Sequence, residues 1–130
     1  MLLDNAMERA AILGTDKIRT FAFTYRSGER PDPEKWPRIV ELVRESAGRA
    51  ANRGFRIALE NVGRSYVATA KEASRILEAI PDANFGLTWD PNNSARSDGE
   101  AFPEGYARLD PARLHRKSCL GRAPIPQVYP

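Results

Sequence analysis

Phe55-Arg56-Ile57-Ala58-Leu59-Glu60-Asn61 and Phe85-Gly86-Leu87-Thr88-Trp89-Asp90-Pro91-Asn92-Asn93 decide how this chain folds. Each is a brief apolar run, too short for a helix, that ends abruptly in a carboxylate with an amide close behind. Between them stands Thr69-Ala70-Lys71-Glu72. There the threonine side chain and the glutamate can satisfy each other's free backbone N–H groups, so a helix starts at that point. Strand, helix, strand is the βαβ unit of a parallel sheet. In such a sheet the residue just past the C-terminal end of a strand is where ligands are held. Glu60 and Asp90, delivered there by successive strands, therefore predict a divalent-metal site.

The same rhythm extends upstream. Leu2, Leu3, Ala6, Met7, Ala10, Ala11 and Leu13 recur at helical spacing, with Gly14 where a C-terminal capping glycine belongs. Ile18-Arg19-Thr20-Phe21-Ala22-Phe23 alternates like a strand. After a polar loop over 25–35, one apolar stripe runs through Trp36, Ile39, Val40, Val43, Ala47, Ala50 and Ala51, and Gly54 ends it. The helix opened at Thr69 places Ala73, Ile76, Leu77 and Ile80 on one face and stops at Pro81. The order is α-β-α-β-α-β, and we expect Trp89 and Phe21 in the core. Downstream of Asp90 the pattern fades. Residues 91–105 read as a loop, 106–109 as a helical turn, and 111–130, with Pro111, Pro124, Pro126 and Pro130, as an irregular or disordered tail.

Composition narrows the function classes. The 130 residues are 42% hydrophobic and 28% charged, an ordinary globular balance with no apolar run long enough for a membrane span. The net charge of +3 is misleading, because Arg113, Arg116, Lys117 and Arg122 stand in a tail without acids. The body has no basic stripe of the kind that nucleic-acid binding needs. The N-terminus lacks a signal-peptide pattern and Cys119 is the single cysteine, which together lead us to expect a cytoplasmic protein.

The ordered set Gly54 to Asn61, the capped helix, and Gly86 to Asn93 resembles the sugar phosphate isomerase/epimerase family, whose fold is a xylose isomerase-like TIM barrel. Ala11-Ile12-Leu13-Gly14 with Ile18-Arg19-Thr20-Phe21 is similar to that family's helix 3 and strand 4. The resemblance covers roughly residues 5–110. It implies an α/β fold that is part of a (β/α)8 barrel, with residues 1–110 supplying three parallel strands, barrel strands 4 to 6, and their flanking helices. It makes Glu60 and Asp90 the metal ligands at the ends of strands 5 and 6, and Glu60 also a proton-transfer group. The ion would be manganese, magnesium, cobalt or zinc, polarising a carbonyl and stabilising an enediolate during isomerisation or epimerisation of a small sugar, sugar phosphate or cyclitol. Asn61 and Asn93 would hydrogen-bond substrate hydroxyls or orient the carboxylates, and Arg64 and Arg96 would grip a phosphate.

The family's site also takes a histidine from strand 7 and an acid from strand 8. Here Ala112-Arg113-Leu114-His115-Arg116-Lys117-Ser118 has a histidine near the right place, without an apolar strand around it. A full barrel needs about 250 residues, so the chain reads as the middle of a barrel with a foreign or frame-shifted end, binding metal weakly alone. The competing reading is a non-catalytic barrel fragment that binds a sugar or a partner chain. An apurinic-endonuclease relative, with its several histidines, is excluded by a single histidine. Exposed sheet edges predict self-association.

Overall fold

A computed structural model describes residues 2–97 and 101–117. Its elements are α1 (Leu2–Ile12), β1 (Lys17–Phe21), α2 (Trp36–Ala51), β2 (Arg56–Glu60), α3 (Ala70–Ala79), β3 (Phe85–Trp89), α4 (Pro91–Ala95), α5 (Glu104–Ala107) and β4 (Leu114–Lys117). Single 3₁₀ turns at Pro33–Lys35 and Pro111–Arg113 precede α2 and β4. The strands form one sheet in the order β1-β2-β3-β4, and every neighbouring pair is parallel. This is a segment of barrel wall, with strands paired in chain order. No helix among the described residues is long and apolar enough to cross a membrane.

The helices cover one face of the sheet. Ile39, Val40, Val43, Ala47 and Ala50 of α2, and Ala73, Ile76 and Leu77 of α3, are buried together with Ile18, Ile57, Leu59, Phe85, Leu87 and Trp89 of the strands. The helix boundaries have local causes. At Thr69 the predicted capping box forms: Thr69 Oγ1 accepts from the Glu72 N–H at 3.4 Å, and Glu72 Oε2 accepts from the Thr69 N–H at 3.0 Å. Gly54, just beyond α2, adopts φ +78°, a left-handed turn that a side chain would resist. Asn84 then ties α2 to β2, its Nδ2 donating to the Ala47 carbonyl at 2.7 Å and the Phe55 carbonyl at 3.3 Å.

The structure corrects the sequence reading in three places. The region expected to be irregular from residue 111 contains β4, which pairs with β3 through Leu87↔Leu114, Thr88↔Arg116 and Trp89↔Lys117, with a register shift between Leu87 and Thr88. Arg113 prepares that pairing. Its Nε donates to the Phe85 carbonyl at 2.9 Å and its Nη2 to the Ile80 carbonyl at 2.7 Å, clamping the turn before β4 to the start of β3. The stretch after Asp90, read as loop, begins with the short helix α4, with Pro91 in its first turn. Phe21, expected in the core, is 47% exposed, whereas Trp89 is buried as expected. The rest of the expected tail, 118–130, lies outside the described residues.

Candidate active site

Alternation along the strands sorts their side chains onto two faces. Ile18 of β1 is buried toward the helices, so Lys17, Arg19 and Phe21 lie on the opposite face, the inner wall of a barrel. The register Arg19↔Ala58 and Phe21↔Glu60, continued by Ala58↔Gly86 and Glu60↔Thr88, puts Glu60 on that inner face at the C-terminal end of β2. Glu60 is 7% exposed. Arg19 crosses its small neighbour Ala58 to reach it, with Nη1 3.0 Å from Glu60 Oε2. The contact is an ion pair without the alignment of a hydrogen bond, and Oε2 has no hydrogen-bond donor. The Phe21 ring steadies the guanidinium, with its centroid 5.1 Å from Arg19 Cζ.

Asp90 follows β3 and caps α4. Its carboxylate accepts from the N–H of Asn92 at 2.8 Å and of Asn93 at 3.3 Å, as an N-cap carboxylate does. Asn61, fully buried, joins the ends of the two strands. Its Oδ1 accepts from the Asp90 N–H at 2.7 Å, and its Nδ2 donates to the Asp90 carbonyl at 2.8 Å and to the Ala68 carbonyl at 3.1 Å. Asn93 Nδ2 donates in turn to the Asn61 carbonyl at 2.8 Å. The two amides thus connect the segments carrying Glu60 and Asp90. Arg64 and Arg96 are exposed, and among the described residues neither guanidinium forms an ion pair with Glu60. Arg64 takes φ +57°, and its carbonyl accepts from the Tyr25 N–H at 2.9 Å, tying the loop after β2 to the loop after β1.

Two more residues belong to this face: Arg19, which the sequence did not single out, and His115, which it placed near the family's strand-7 histidine but without a strand around it. Arg19 looked like one polar position in an alternating strand, and only the register shows that it meets Glu60. His115 lies on β4 over Gly86, where a Cβ would come within 2.6 Å of His115 Nε2 and still closer to the Arg113 carbonyl. Gly86 is what allows the ring and β4 to approach. Burial pushes the His115 imidazole below its ordinary range, and the charges of Arg56, Arg113 and Lys17 add to that, against a backbone hydrogen bond at Ile57. A cleft of about 390 Å³ opens elsewhere, between the segment after β1 and the first turns of α2, lined by Phe23, Tyr25, Arg38 and Tyr66 but by neither carboxylate.

The sequence profile of the xylose isomerase-like TIM barrel family matches residues 2–117, and the chain belongs to that family. A search of curated protein sequences finds no significant match. Among solved structures, the probable 3-DHS dehydratase AsbF of Bacillus anthracis superposes with a TM-score of 0.73 at 19% identity, covering 86% of this chain and 40% of that one. IolI, solved with a bound zinc atom, gives a TM-score of 0.72 at 22% identity, with 86% and 40% covered. D-Psicose 3-epimerase from Clostridium cellulolyticum H10, solved with D-tagatose, gives 0.64 at 21% identity, with 83% and 41% covered. The chain thus spans about two fifths of the length of these structures.

The zinc of IolI makes a metal the group to test against this chain's own residues. A hard divalent cation takes about six oxygen ligands, and a zinc ion takes about four donors. Among the described residues no group of three His, Cys, Asp or Glu side chains could hold an ion. Glu60, the better placed of the two predicted ligands, already faces a guanidinium. The donor set present does not fit a resident metal by itself.

Proposed function

We propose that this wall belongs to a sugar isomerase or epimerase site in which Glu60 is the proton-transfer group and Asp90 a fixed polar neighbour. The observation that carries the reading is a buried carboxylate at the C-terminal end of a parallel strand, with one oxygen lacking a hydrogen-bond donor. A carboxylate so placed can take a proton from a carbon next to a carbonyl. The C–H electron pair moves toward the carbonyl, forming an enediol or enediolate, and the proton returns to the neighbouring carbon in isomerisation. Return to the opposite face of the same carbon, as in epimerisation, needs a second proton-transfer group from outside this wall. Asn61 and Asn93 set the spacing of the two acids, since their amides are engaged with backbone. A divalent ion at Glu60 and Asp90 would require Arg19 to leave Glu60 and further donors to join. Small sugars or cyclitols are the substrate class, in keeping with the epimerases among the neighbours.

The test is deuterium wash-in from heavy water at the carbon next to the carbonyl, over a panel of ketoses, aldoses and inososes, with and without manganese. Exchange that falls about a hundredfold or more in Glu60→Gln is the expected result. Exchange that survives that substitution removes Glu60 from the chemistry. A panel without exchange leaves the sugar-binding, non-catalytic reading.

A further inference from the structure

We infer that Arg19 supplies the positive charge of this site in the described wall, and that it selects substrates bearing an oxyanion, a carboxylate or a phosphate ester. The inference rests on the reading of Glu60 as the reactive carboxylate and deepens it by naming the substrate class.

Three observations carry it. The Arg19 side chain is 60% exposed while its partner Glu60 is 10% exposed, so one edge of the guanidinium faces the acid and the remainder faces the open inner side of the sheet. A guanidinium has five N–H donors in a fixed fork, and here its nearest nitrogen, Nη1, lies 3.0 Å from Glu60 Oε2 without donating a hydrogen bond to it. The other donors match the bidentate geometry that carboxylates and phosphates require. The Phe21 ring beneath the guanidinium limits its rotation, which reduces the ordering cost when an anion arrives.

The surroundings favour the same ligand. Lys17 and Arg56 are register partners further down the inner face, and Asp16 is the acid close to both, at 3.9 Å and 3.4 Å. A negatively charged substrate group therefore meets a face on which Glu60 is already countered. Arg64 and Arg96, the guanidinium groups first suggested for a phosphate, are not near Glu60 by any ion pair or hydrogen bond that the structure shows. Arg19 is. The same ion pair adds a second obstacle to a metal beside the shortage of donors: a cation approaching Glu60 meets a guanidinium 3.0 Å from the oxygen it needs.

The experiment is calorimetric titration of the 130-residue chain with D-glucose, D-glucuronate and D-glucose 6-phosphate, and separately with manganese chloride. At least one anionic sugar should bind ten times more tightly than glucose, and which one does so distinguishes carboxylate from phosphate. Arg19→Gln should abolish that preference, Arg19→Lys should keep part of it, and Glu60→Gln should strengthen it by freeing the guanidinium. Manganese should bind Arg19→Gln at least threefold more tightly than the unaltered chain. Equal affinity for glucose and both anions, an unchanged preference in Arg19→Gln, or weaker manganese binding in that variant would each overturn the inference. Glu60→Gln separates the two claims, because it should end proton exchange while preserving anion binding.

Discussion

β3 and β1 are strands of equal length in one sheet, yet every residue of β3 is buried while β1 buries only Ile18. Sequence accounts for part of the difference, since Lys17-Ile18-Arg19-Thr20-Phe21 carries two charges and Phe85-Gly86-Leu87-Thr88-Trp89 none. Position accounts for the rest. β3 has β2 on one side and β4 on the other, and His115 lies across its inner face, whereas among the described residues β1 pairs with β2 alone. Parallel strands are stable when both faces are covered. The candidate site sits where these two conditions meet, on β2, with Glu60 enclosed and Arg19 reaching it from the open side.

The sharpest way to test that contrast is to truncate a phenyl ring in each strand. Phe85→Ala should cost about 4 kcal/mol, since it leaves a cavity in a fully enclosed layer. Phe21→Ala should cost about 0.5 kcal/mol, because a half-exposed ring gives up little burial. Urea unfolding of both variants measures the pair, and similar losses would mean that β1 is covered as well as β3. Next comes the seam between β2 and β3. Asn61→Ala should cost about 3 kcal/mol by leaving the Asp90 N–H and two carbonyls without their amide. Asn61→Asp should be little better, having lost both donated bonds. Hydrogen exchange at the Asp90 amide would report the loss at the seam itself.

Gly86→Ala addresses β4, with an expected cost of about 2 kcal/mol from overpacking against His115 and the Arg113 carbonyl. Protection of the β4 amides should fall while that of β1 stays unchanged. The smallest effect is a pH dependence. His115, the single histidine of the chain, has a folded-state pKa below its ordinary value of 6.5. The unfolded chain therefore takes up the proton first, and stability should decline as pH falls through and below 6.5. Thermal melts between pH 8 and pH 5.5 would show this slope, and His115→Gln should flatten it.

These contrasts also explain what could be read in the sequence. β2, β3 and the capped start of α3 carry their own signals: apolar runs of strand length, a terminal carboxylate, and a threonine and glutamate at reciprocal capping positions. β4 carries none. Leu114-His115-Arg116-Lys117 becomes a strand because Arg113 anchors the preceding turn to Phe85 and Ile80, contacts made across 28 and 33 residues of chain. Leu2 and Leu13 fit a helical stripe on paper, yet both are exposed, whereas Met7 and Ala10 of the same stripe are buried. The strand-end positions of Glu60 and Asp90 were legible from the apolar runs that precede them. Arg19 was not, since an ion pair between adjacent parallel strands depends on register, and register is a property of the pair.

The imidazole seated over Gly86 also bears on inheritance. A hydrogen at residue 86 and a ring at residue 115 make one packing solution, and either half alone leaves a clash or a gap. Across descendants of this gene the two positions should change together: where residue 86 gains a side chain, residue 115 should shrink in the same lineage. Their joint variation would then mark how long β4 has been held against β3.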